Sequence, residues 1–262
     1  MGREVGFNFP PQKIISVVPS KTELLYELGL EEQIAGITKF CIHPEKIFRS
    51  KTRVGGTKNL NIDKIKEIKP DIIIANKEEN TREQLEELSN DFPVWISDVK
   101  NLNDAVEMIG LIGKITAKDK KALEIIDKIK HKFEKLDKNI SQQKKSAVYL
   151  IWQKPFMTVG GDTFISDMMT RSGMQNLFAS QQRYPEIELG QLQSLKPEIV
   201  LLSSEPFPFK QQHVADLQKE LPESKVILAD GEMFAWYGSR LILAADYLNS
   251  FSSQYLTGQY LR

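Results

Sequence analysis

The segment Ile65-Lys66-Glu67-Ile68-Lys69-Pro70-Asp71-Ile72-Ile73-Ile74 has a counterpart further along the chain, Leu192-Gln193-Ser194-Leu195-Lys196-Pro197-Glu198-Ile199-Val200-Leu201. The two segments lie 127 residues apart (192 minus 65). In each, a short helical pattern ends at Lys-Pro, because proline cannot continue a helix. A continuous apolar run follows, which is typical of a strand covered on both faces. Any α/β protein contains such units, but the shared order of Lys, Pro, acidic and apolar residues favours two equivalent lobes.

Further strand patterns extend the sheets outward from this repeat. In the first half, the predicted strands run from Lys13 to Val18, Ile34 to Thr38, Asp71 to Ala75 and Val94 to Ser97. In the second half, they run from Ala147 to Ile151, Glu198 to Leu202 and Lys225 to Ala229. Helical patterns between them predict right-handed βαβ units. The predicted fold class is α/β, with two Rossmann-like lobes of mostly parallel sheet.

A long amphipathic pattern separates the two halves, from Ala117 to Lys138. Its apolar positions follow in steps of four, three, four and three residues: Ala122, Ile126, Ile129, Phe133 and Leu136. A helix of this length would span roughly 33 Å and contains no Gly or Pro, so it should be rigid. It could be a surface helix of one domain, but the repeat on either side favours a connecting helix. We therefore predict an N-terminal lobe at 1–104, a helical connection at 105–140 and a C-terminal lobe at 141–262.

Two segments carry helix-start signals, and the first of them follows a predicted strand directly. Ser20-Lys21-Thr22-Glu23 fits a capping box, in which Ser20 accepts from the amide of Glu23, and Gly29 supplies the stop of that helix. Gly160-Gly161-Asp162-Thr163 is expected to cap a helix from Phe164 to Arg171. Ligands of open α/β sheets bind near such helix starts. For the Ser20 motif alone, simple capping without a ligand is the better interpretation.

The bulk composition excludes several classes of protein. The 262 residues carry 35 basic and 35 acidic side chains, so no basic surplus exists to neutralise nucleic-acid phosphates. The single cysteine, Cys41, excludes an internal disulfide. No apolar run approaches the roughly 18 residues of a membrane helix. We expect an ordinary globular protein that does not bind nucleic acid.

The motifs that would carry catalysis are missing. The histidines His43, His131 and His213 are scattered, which does not indicate a zinc site. The sequence contains no H-E-x-x-H or G-x-S-x-G motif. Cys41 and His43 lie two residues apart, but nothing nearby would orient them as a catalytic pair. We therefore expect no enzyme, no metal site and no cofactor.

Three further stretches carry a resemblance to a known family. They are Lys13-Ile14-Ile15-Ser16-Val17-Val18-Pro19-Ser20-Lys21-Thr22-Glu23-Leu24-Leu25, Arg53-Val54-Gly55-Gly56 with the first repeat segment, and Ser239-Arg240-Leu241-Ile242-Leu243-Ala244-Ala245. In this order they resemble the cobalamin and iron-siderophore substrate-binding proteins of ABC importers, and most of all the cobalamin-binding branch. The resemblance implies two Rossmann-like lobes joined by one long helix, a metal chelate bound between them, and a monomer that delivers it to a permease.

The resemblance also implies ligand-binding residues. Five positions fall where cobalamin binders place binding residues and three lie close to such positions: Phe40, Trp95, Trp152, Tyr184 and Arg240, then Phe156, Trp236 and Tyr237. Aromatic faces suit a broad, flat corrin ring, since they contact it at low entropic cost. Some of these rings could instead belong to the core, Trp95 in particular because it lies within a strand. A tryptophan expected after Ala75 is Asn76 here, which argues against a strict cobalamin assignment.

The family docks onto its permease through one acidic residue in each lobe. Glu205 follows the repeated strand of the second half, and Glu78 or Glu79 occupies the equivalent place in the first half. Solvated carboxylates without a partner are the plain alternative. Their symmetric placement supports docking, because complementary charge sets register and association rate at such surfaces.

Three functions stay open at this point. An iron-siderophore or haem receptor of the same fold would need several cations, and the candidate site offers few, namely Lys39, Arg183 and Arg240. A nearly neutral corrinoid is therefore favoured. A cytoplasmic enzyme or chaperone acting on a tetrapyrrole is the alternative from another class. Met1 to Pro11 lack the pattern of a signal peptide. We expect a periplasmic or membrane-anchored protein whose export signal is absent from this sequence, with a cytoplasmic location left open.

Overall fold

The computed structural model describes residues 4–140 and 144–256, so Met1 to Arg3 lie outside the described residues. The chain divides into two compact units. The first unit comprises Met1–Val99, Asn103–Lys128 and Tyr237–Arg240. The second unit comprises Lys100–Leu102, Ile129–Trp236 and Leu241–Arg262. Each unit therefore includes segments that are distant in the sequence.

The first unit is built on a five-stranded parallel sheet of order β3-β2-β1-β4-β5. Its strands are β1 (Ile14–Ser16), β2 (Ile34–Ile37), β3 (Thr52–Arg53), β4 (Ile72–Asn76) and β5 (Val94–Ser97). The helices that follow them are α1 (Pro19–Glu27), α2 (Glu45–Ser50), α3 (Ile62–Ile68), α4 (Arg82–Leu88) and α5 (Leu102–Ile115). Side chains of β1 and β4 such as Ile15 and Ile73 form the core with Ile65, Leu85 and Leu88 from the helices.

The second unit contains a four-stranded parallel sheet of order β11-β10-β6-β8 and a two-stranded antiparallel ribbon, β7-β9. Its strands are β6 (Lys145–Leu150), β7 (Phe156–Met157), β8 (Met174–Asn176), β9 (Glu186–Ile187), β10 (Ile199–Ser203) and β11 (Lys225–Ala229). Its helices are α7 (Phe164–Arg171), α8 (Leu189–Leu195), α9 (Gln211–Glu220), α10 (Gly231–Ala235) and α11 (Leu241–Tyr255). The core packs Val148 and Val200 from the sheet against Leu192, Val214 and Leu217 from the helices.

The sequence repeat is also a structural repeat. Helices α3 and α8 both end at the lysine of Lys-Pro, and both lysines are left-handed, with φ of 53° at Lys69 and 46° at Lys196. The acidic residue after each Lys-Pro accepts a backbone hydrogen bond at the start of the neighbouring strand. Asp71 accepts from the Lys13 amide and Glu198 from the Ser146 amide, both at 2.8 Å. The order β2-β1-β4-β5 therefore matches β8-β6-β10-β11, and the predicted α/β fold with two parallel sheets is confirmed.

The predicted long helix is α6 (Asp119–Asn139). Residues 119–128 group with the first unit and residues 129–139 with the second. Its buried stripe contains the five predicted apolar positions and Ile125. Within the second unit, α11 contacts α6 through an ion pair of Lys132 with Asp246 and a 3.0 Å hydrogen bond from Asn139 to Asn249. The three-part division at residues 104 and 140 stays a prediction.

One cap is as predicted and the other is wrong. Thr163 is the N-cap of α7, where its hydroxyl accepts from the Ser166 amide at 3.3 Å. Helix α1 instead begins at Pro19, because a proline is already shaped for the first helical position. Ser20 therefore lies inside the helix, and its buried hydroxyl has no hydrogen-bond partner among residues 4–140 and 144–256. The short strands β3, β7, β8 and β9 were not predicted, because two or three residues give no periodic signal.

Candidate functional site

A buried lysine organises the carboxyl end of the first unit's sheet. Lys21, in the first turn of α1, is fully buried at 0% exposure. Its Nζ donates to the carbonyl oxygen of Ala75 at the end of β4 and to Ser97 Oγ at the end of β5, the latter at 2.6 Å. The same Nζ lies 5.0 Å from the centre of the Trp95 ring, a cation–π distance. Trp95 is half-buried, so the predicted ring is one wall of this polar cluster.

Glu79 interacts electrostatically with this lysine and binds a second predicted residue. The hydroxyl of Tyr237, which belongs to the first unit, donates to Glu79 Oε1 at 3.2 Å. Burial raises the pKa of Glu79 to about 6, although the charge of Lys21 and the Tyr237 hydrogen bond oppose that rise. Burial lowers the pKa of Lys21 to about 7, against the attraction of Glu79. Removal from water penalises each charged form, and each partner offsets part of that penalty.

Arg240 forms an ion pair inside the first unit. Its Nε donates to Glu23 Oε2 at 3.0 Å, and its Nη2 lies 2.8 Å from Glu23 Oε1. The side chains are only 8% and 15% exposed, so the pair is largely removed from water. The predicted capping box is therefore not formed. The Glu23 carboxylate binds the Arg240 guanidinium and not the backbone amide of Ser20. The predicted contact of Arg240 with a ligand stays a prediction.

Phe40 is the most open of the predicted rings in the first unit, with half of its surface exposed. It lies on the Gly55-Gly56 turn: a Cβ at Gly56 would be 3.3 Å from Cε2 of the Phe40 ring. Gly55 has a φ of +103°, which side-chain-bearing residues rarely adopt. Lys39 Nζ lies 5.1 Å from the ring centre. Gly56 therefore lies against the exposed aromatic ring, while Gly55 allows the tight turn.

In the second unit, aromatic rings form a row that includes Trp152. Trp152 is 40% exposed and meets Phe207 edge-on, with 5.5 Å between ring centres. Phe207 in turn contacts Phe209 at 4.7 Å and His213 at 5.6 Å. The sequence prediction missed these three residues. The signal for the two phenylalanines was Phe207-Pro208-Phe209, which begins four residues after the end of the repeated strand β10.

The other predicted residues of the second unit are more enclosed. Trp236 is buried, and its Nε1 donates to Glu205 Oε1 at 2.6 Å, so a predicted ligand residue holds a predicted docking residue. Tyr184 is half-buried in a loop that the Arg183 amide fastens to Asp162 Oδ1 at 2.6 Å. Cβ atoms at Gly160 and Gly161 would collide with the backbone of Gln181 and Ala179. This glycine pair therefore allows the loop that carries Tyr184 to pack closely against the backbone at Gly160 and Gly161.

A small cavity of about 160 Å³ lies in the second unit beside Phe156 and His213. Leu189, Leu202 and Phe209 are also among its lining residues. Pockets for drug-sized ligands measure roughly 300–1,000 Å³, so this space is too small for a macrocycle. Of the predicted ligand residues, Phe156 lines it.

Neither a metal centre nor a membrane span is found in the described parts of the chain. Among residues 4–140 and 144–256, no three side chains of His, Cys, Asp or Glu come together as metal ligands would. Within the same ranges, none of the helices combines the length and the apolar character needed to cross a bilayer.

Known proteins share this sequence pattern and this fold. A vitamin B12-binding protein of Vibrio campbellii is 26% identical over 199 residues, which are 75% of this chain and 72% of that protein. An uncharacterised ABC transporter substrate-binding lipoprotein of Bacillus subtilis is 24% identical over 209 residues, covering 76% and 66%. The crystal structure of the periplasmic vitamin B12-binding protein of Vibrio cholerae aligns with a TM-score of 0.82 at 22% identity, covering 95% of this chain and 99% of that one.

The structural similarity extends beyond one ligand class. A periplasmic haem-binding protein of Pseudomonas aeruginosa also gives a TM-score of 0.82, at 20% identity and with coverage of 95% and 94%. The family model described as periplasmic binding protein matches residues 14–225, which is well over half of the chain. Members of this family are substrate-binding proteins of ABC transporters and not enzymes, which confirms the expectation of no catalysis. The chain therefore belongs to the periplasmic binding protein family.

Proposed function

We propose that this protein captures a corrinoid outside the cytoplasm and delivers it to the permease of an ABC importer. The observation that carries the proposal is the combination of open aromatic rings with neutralised cations. Phe40 and Trp152 expose half and 40% of their surface. Such rings suit a broad ligand with an apolar edge, because they bury large area at low entropic cost.

The state of the cations supports a nearly neutral ligand over a strongly anionic one. Arg240 is paired with Glu23 and is largely buried. Arg183 Nε lies 3.4 Å from Asp162 Oδ2. Lys21 is fully buried among Ala75, Ser97 and Trp95. A ferric catecholate would need several accessible cations. These three already have partners, and Lys39 beside Phe40 is the exposed member of the predicted set. Relatives at 26–27% identity that are named vitamin B12-binding proteins point the same way.

Haem is the second candidate, because a periplasmic haem-binding protein shares this fold and one residue argues against a strict cobalamin assignment. Asn76 stands where the cobalamin-binding branch is expected to have a tryptophan, so the first unit has one ring fewer. The Asn76 side chain is buried and its Oδ1 accepts from the amides of Glu78 and Glu79 at 2.8 and 3.1 Å. Its role is to shape the turn after β4, which leaves the recognition of a corrin to the other rings.

Titration with cobalamin, cobinamide, haemin and a ferric catecholate separates these ligands. We expect quenching of tryptophan fluorescence and a melting shift with both corrinoids. At a ligand concentration of one hundred times Kd, binding should stabilise the protein by about 2.7 kcal/mol. A shift with haemin alone would support the second candidate. A shift with the ferric catecholate alone, or with none of the four, would contradict both.

For docking to the permease, we propose Glu78 in the first unit and Glu205 in the second. They occupy the same place in the repeat, 127 residues apart (205 minus 78). Glu79 is the weaker candidate of the neighbouring pair, since it lies 126 residues before Glu205 (205 minus 79) and not at the repeat distance of 127.

A further inference from the structure

We propose that Lys21 is a positioning residue for the ligand-binding side chains of the first unit, because it faces the Trp95 ring and joins β4 to β5 beside the turn that carries Glu79, the hydrogen-bond acceptor of Tyr237. The inference deepens the proposed function, and rests on it in one respect: Trp95 and Tyr237 are taken as ligand contacts. Lys21 itself touches no ligand in this proposal. It acts from the interior of the unit on two aromatic side chains, the half-buried Trp95 and the buried Tyr237.

The contacts of Lys21 reach two neighbouring strands. Its Nζ bonds the carbonyl oxygen of Ala75 on β4 and the hydroxyl of Ser97 on β5, and it faces the Trp95 ring at 5.0 Å. A lysine that only filled space would not be matched by two oxygens and an aromatic face. Burying an ammonium costs several kcal/mol unless it is compensated in this way.

Glu79 extends the cluster to the chain segment that returns to the first unit at Tyr237. The phenol of Tyr237 donates to Glu79 at 3.2 Å, and the charges of Glu79 and Lys21 attract each other. The turn that carries Glu79 is itself held by Asn76 and Asn80: Asn76 accepts from the Glu79 amide at 3.1 Å, and Asn80 Nδ2 donates to the Val17 carbonyl at 3.1 Å. A change of charge at Lys21 should therefore be felt at the Tyr237 ring.

The charge states of the pair depend on pH in the neutral range. With the pKa of Lys21 lowered to about 7 and that of Glu79 raised to about 6, both groups are charged mainly between these values. Other groups act on Glu79: Lys58 lowers its pKa, and Glu78 raises it. Cys41 is also buried. Burial is the main cause that raises the pKa of its thiol and the Glu79 charge adds to the rise, so the thiol stays neutral. Above the upper value Lys21 loses its proton; below the lower value Glu79 gains one.

The first test needs no ligand. The carboxylate of Glu79 is followed by carbon-13 NMR as a function of pH in the wild-type protein, Lys21→Met and Tyr237→Phe. Because the Lys21 charge and the Tyr237 hydrogen bond both lower the pKa of Glu79, each substitution should raise it. Lys77→Met removes an exposed lysine of the same turn, paired with Asp98, and should leave the pKa of Glu79 close to its wild-type value. An unchanged Glu79 titration in both test variants would overturn the proposal.

The second test measures the binding of cobinamide between pH 5 and 9. Wild-type affinity should be greatest between about pH 6 and 7 and fall on both sides. Lys21→Met should weaken cobinamide binding about tenfold between these pH values and flatten the dependence of affinity on pH. The reason is the loss of the charged hydrogen bonds that Lys21 donates to Ala75 and Ser97. Lys77→Met should keep the wild-type profile. If Lys21→Met fails to fold, Tyr237→Phe serves instead, because it removes the far end of the cluster without burying a new charge.

The two tests fail in different ways. If no corrinoid or haemin binds the wild-type protein, the proposed function is wrong, while the NMR titration still decides whether Lys21 and Glu79 are coupled. If cobinamide binds with the same pH profile in wild type and Lys21→Met, the positioning role is wrong and the proposed function stands.

Discussion

The buried ion pair of Arg240 and Glu23 is a feature of single residues that no spacing rule indicates. Glu23 is the fourth residue of a sequence that reads as a capping box, yet its carboxylate faces a guanidinium 217 positions later. The same is true of Lys21, whose two acceptor oxygens belong to Ala75 and Ser97, 54 and 76 residues away. Local sequence rules relate residues three or four positions apart, so they do not predict partners that the sheet brings together from distant positions.

Loss of the guanidinium should be costly, because Glu23 would keep its charge in a place with little water. We expect Arg240→Met to lower the free energy of unfolding by about 3–5 kcal/mol, as for other broken buried pairs. Urea denaturation measures this. The matched control is Arg49→Met in the exposed pair with Glu45, where less than about 1 kcal/mol should be lost. A loss at Arg240 no larger than at Arg49 would show that the pair is electrostatically unimportant.

At the scale of elements, the strands of the repeat were predictable and their neighbours less so. Val94–Ser97 and Lys225–Ala229 match the predicted strands residue for residue. Both are edge strands and only partly buried, so a short apolar run identifies a strand even where one side of it is open. The ribbon β7-β9 consists of two strands of two residues each, which pair with each other. The loop that carries Tyr184 is shaped by Gly160 and Gly161. Such features depend on close approach between distant backbones, which periodicity does not record.

Substitution at Gly161 tests this close approach. A Cβ there would lie 2.1 Å from the carbonyl oxygen of Ala179, so Gly161→Ala must displace the loop that leads to Tyr184. We expect a loss of about 1–3 kcal/mol, as for other overpacked sites, and weaker ligand binding through Tyr184. Gly190→Ala is the control, because no atom lies within 4 Å of a Cβ at that position in α8. It should leave stability unchanged or raise it by up to about 1 kcal/mol, since alanine favours helix. Equal melting temperatures for the two variants would contradict the steric argument.

At the scale of the whole molecule, the sequence predicted two α/β halves but not how the chain is shared between them. Tyr237–Arg240 joins the first unit although it lies in the second half of the sequence, and Lys100–Leu102 joins the second. The repeat marks equivalent strands because it is local. Membership of a compact unit is a property of the folded chain, so Tyr237 and Glu79 meet without any signal in their sequence neighbourhoods.

Docking to a permease should depend on one carboxylate from each unit. We expect Glu78→Gln and Glu205→Gln each to weaken binding to the cognate permease about tenfold, mainly by slowing association, and their combination to weaken it further. Glutamine at 205 can still accept the hydrogen bond from Trp236, so ligand affinity should be kept. Surface plasmon resonance with the permease in lipid nanodiscs measures both rates, and the exposed Glu83→Gln on α4 is the control. Retained docking in the double variant would move the contact away from these two acids, whereas loss in Glu79→Gln alone would assign the first unit's contact to Glu79.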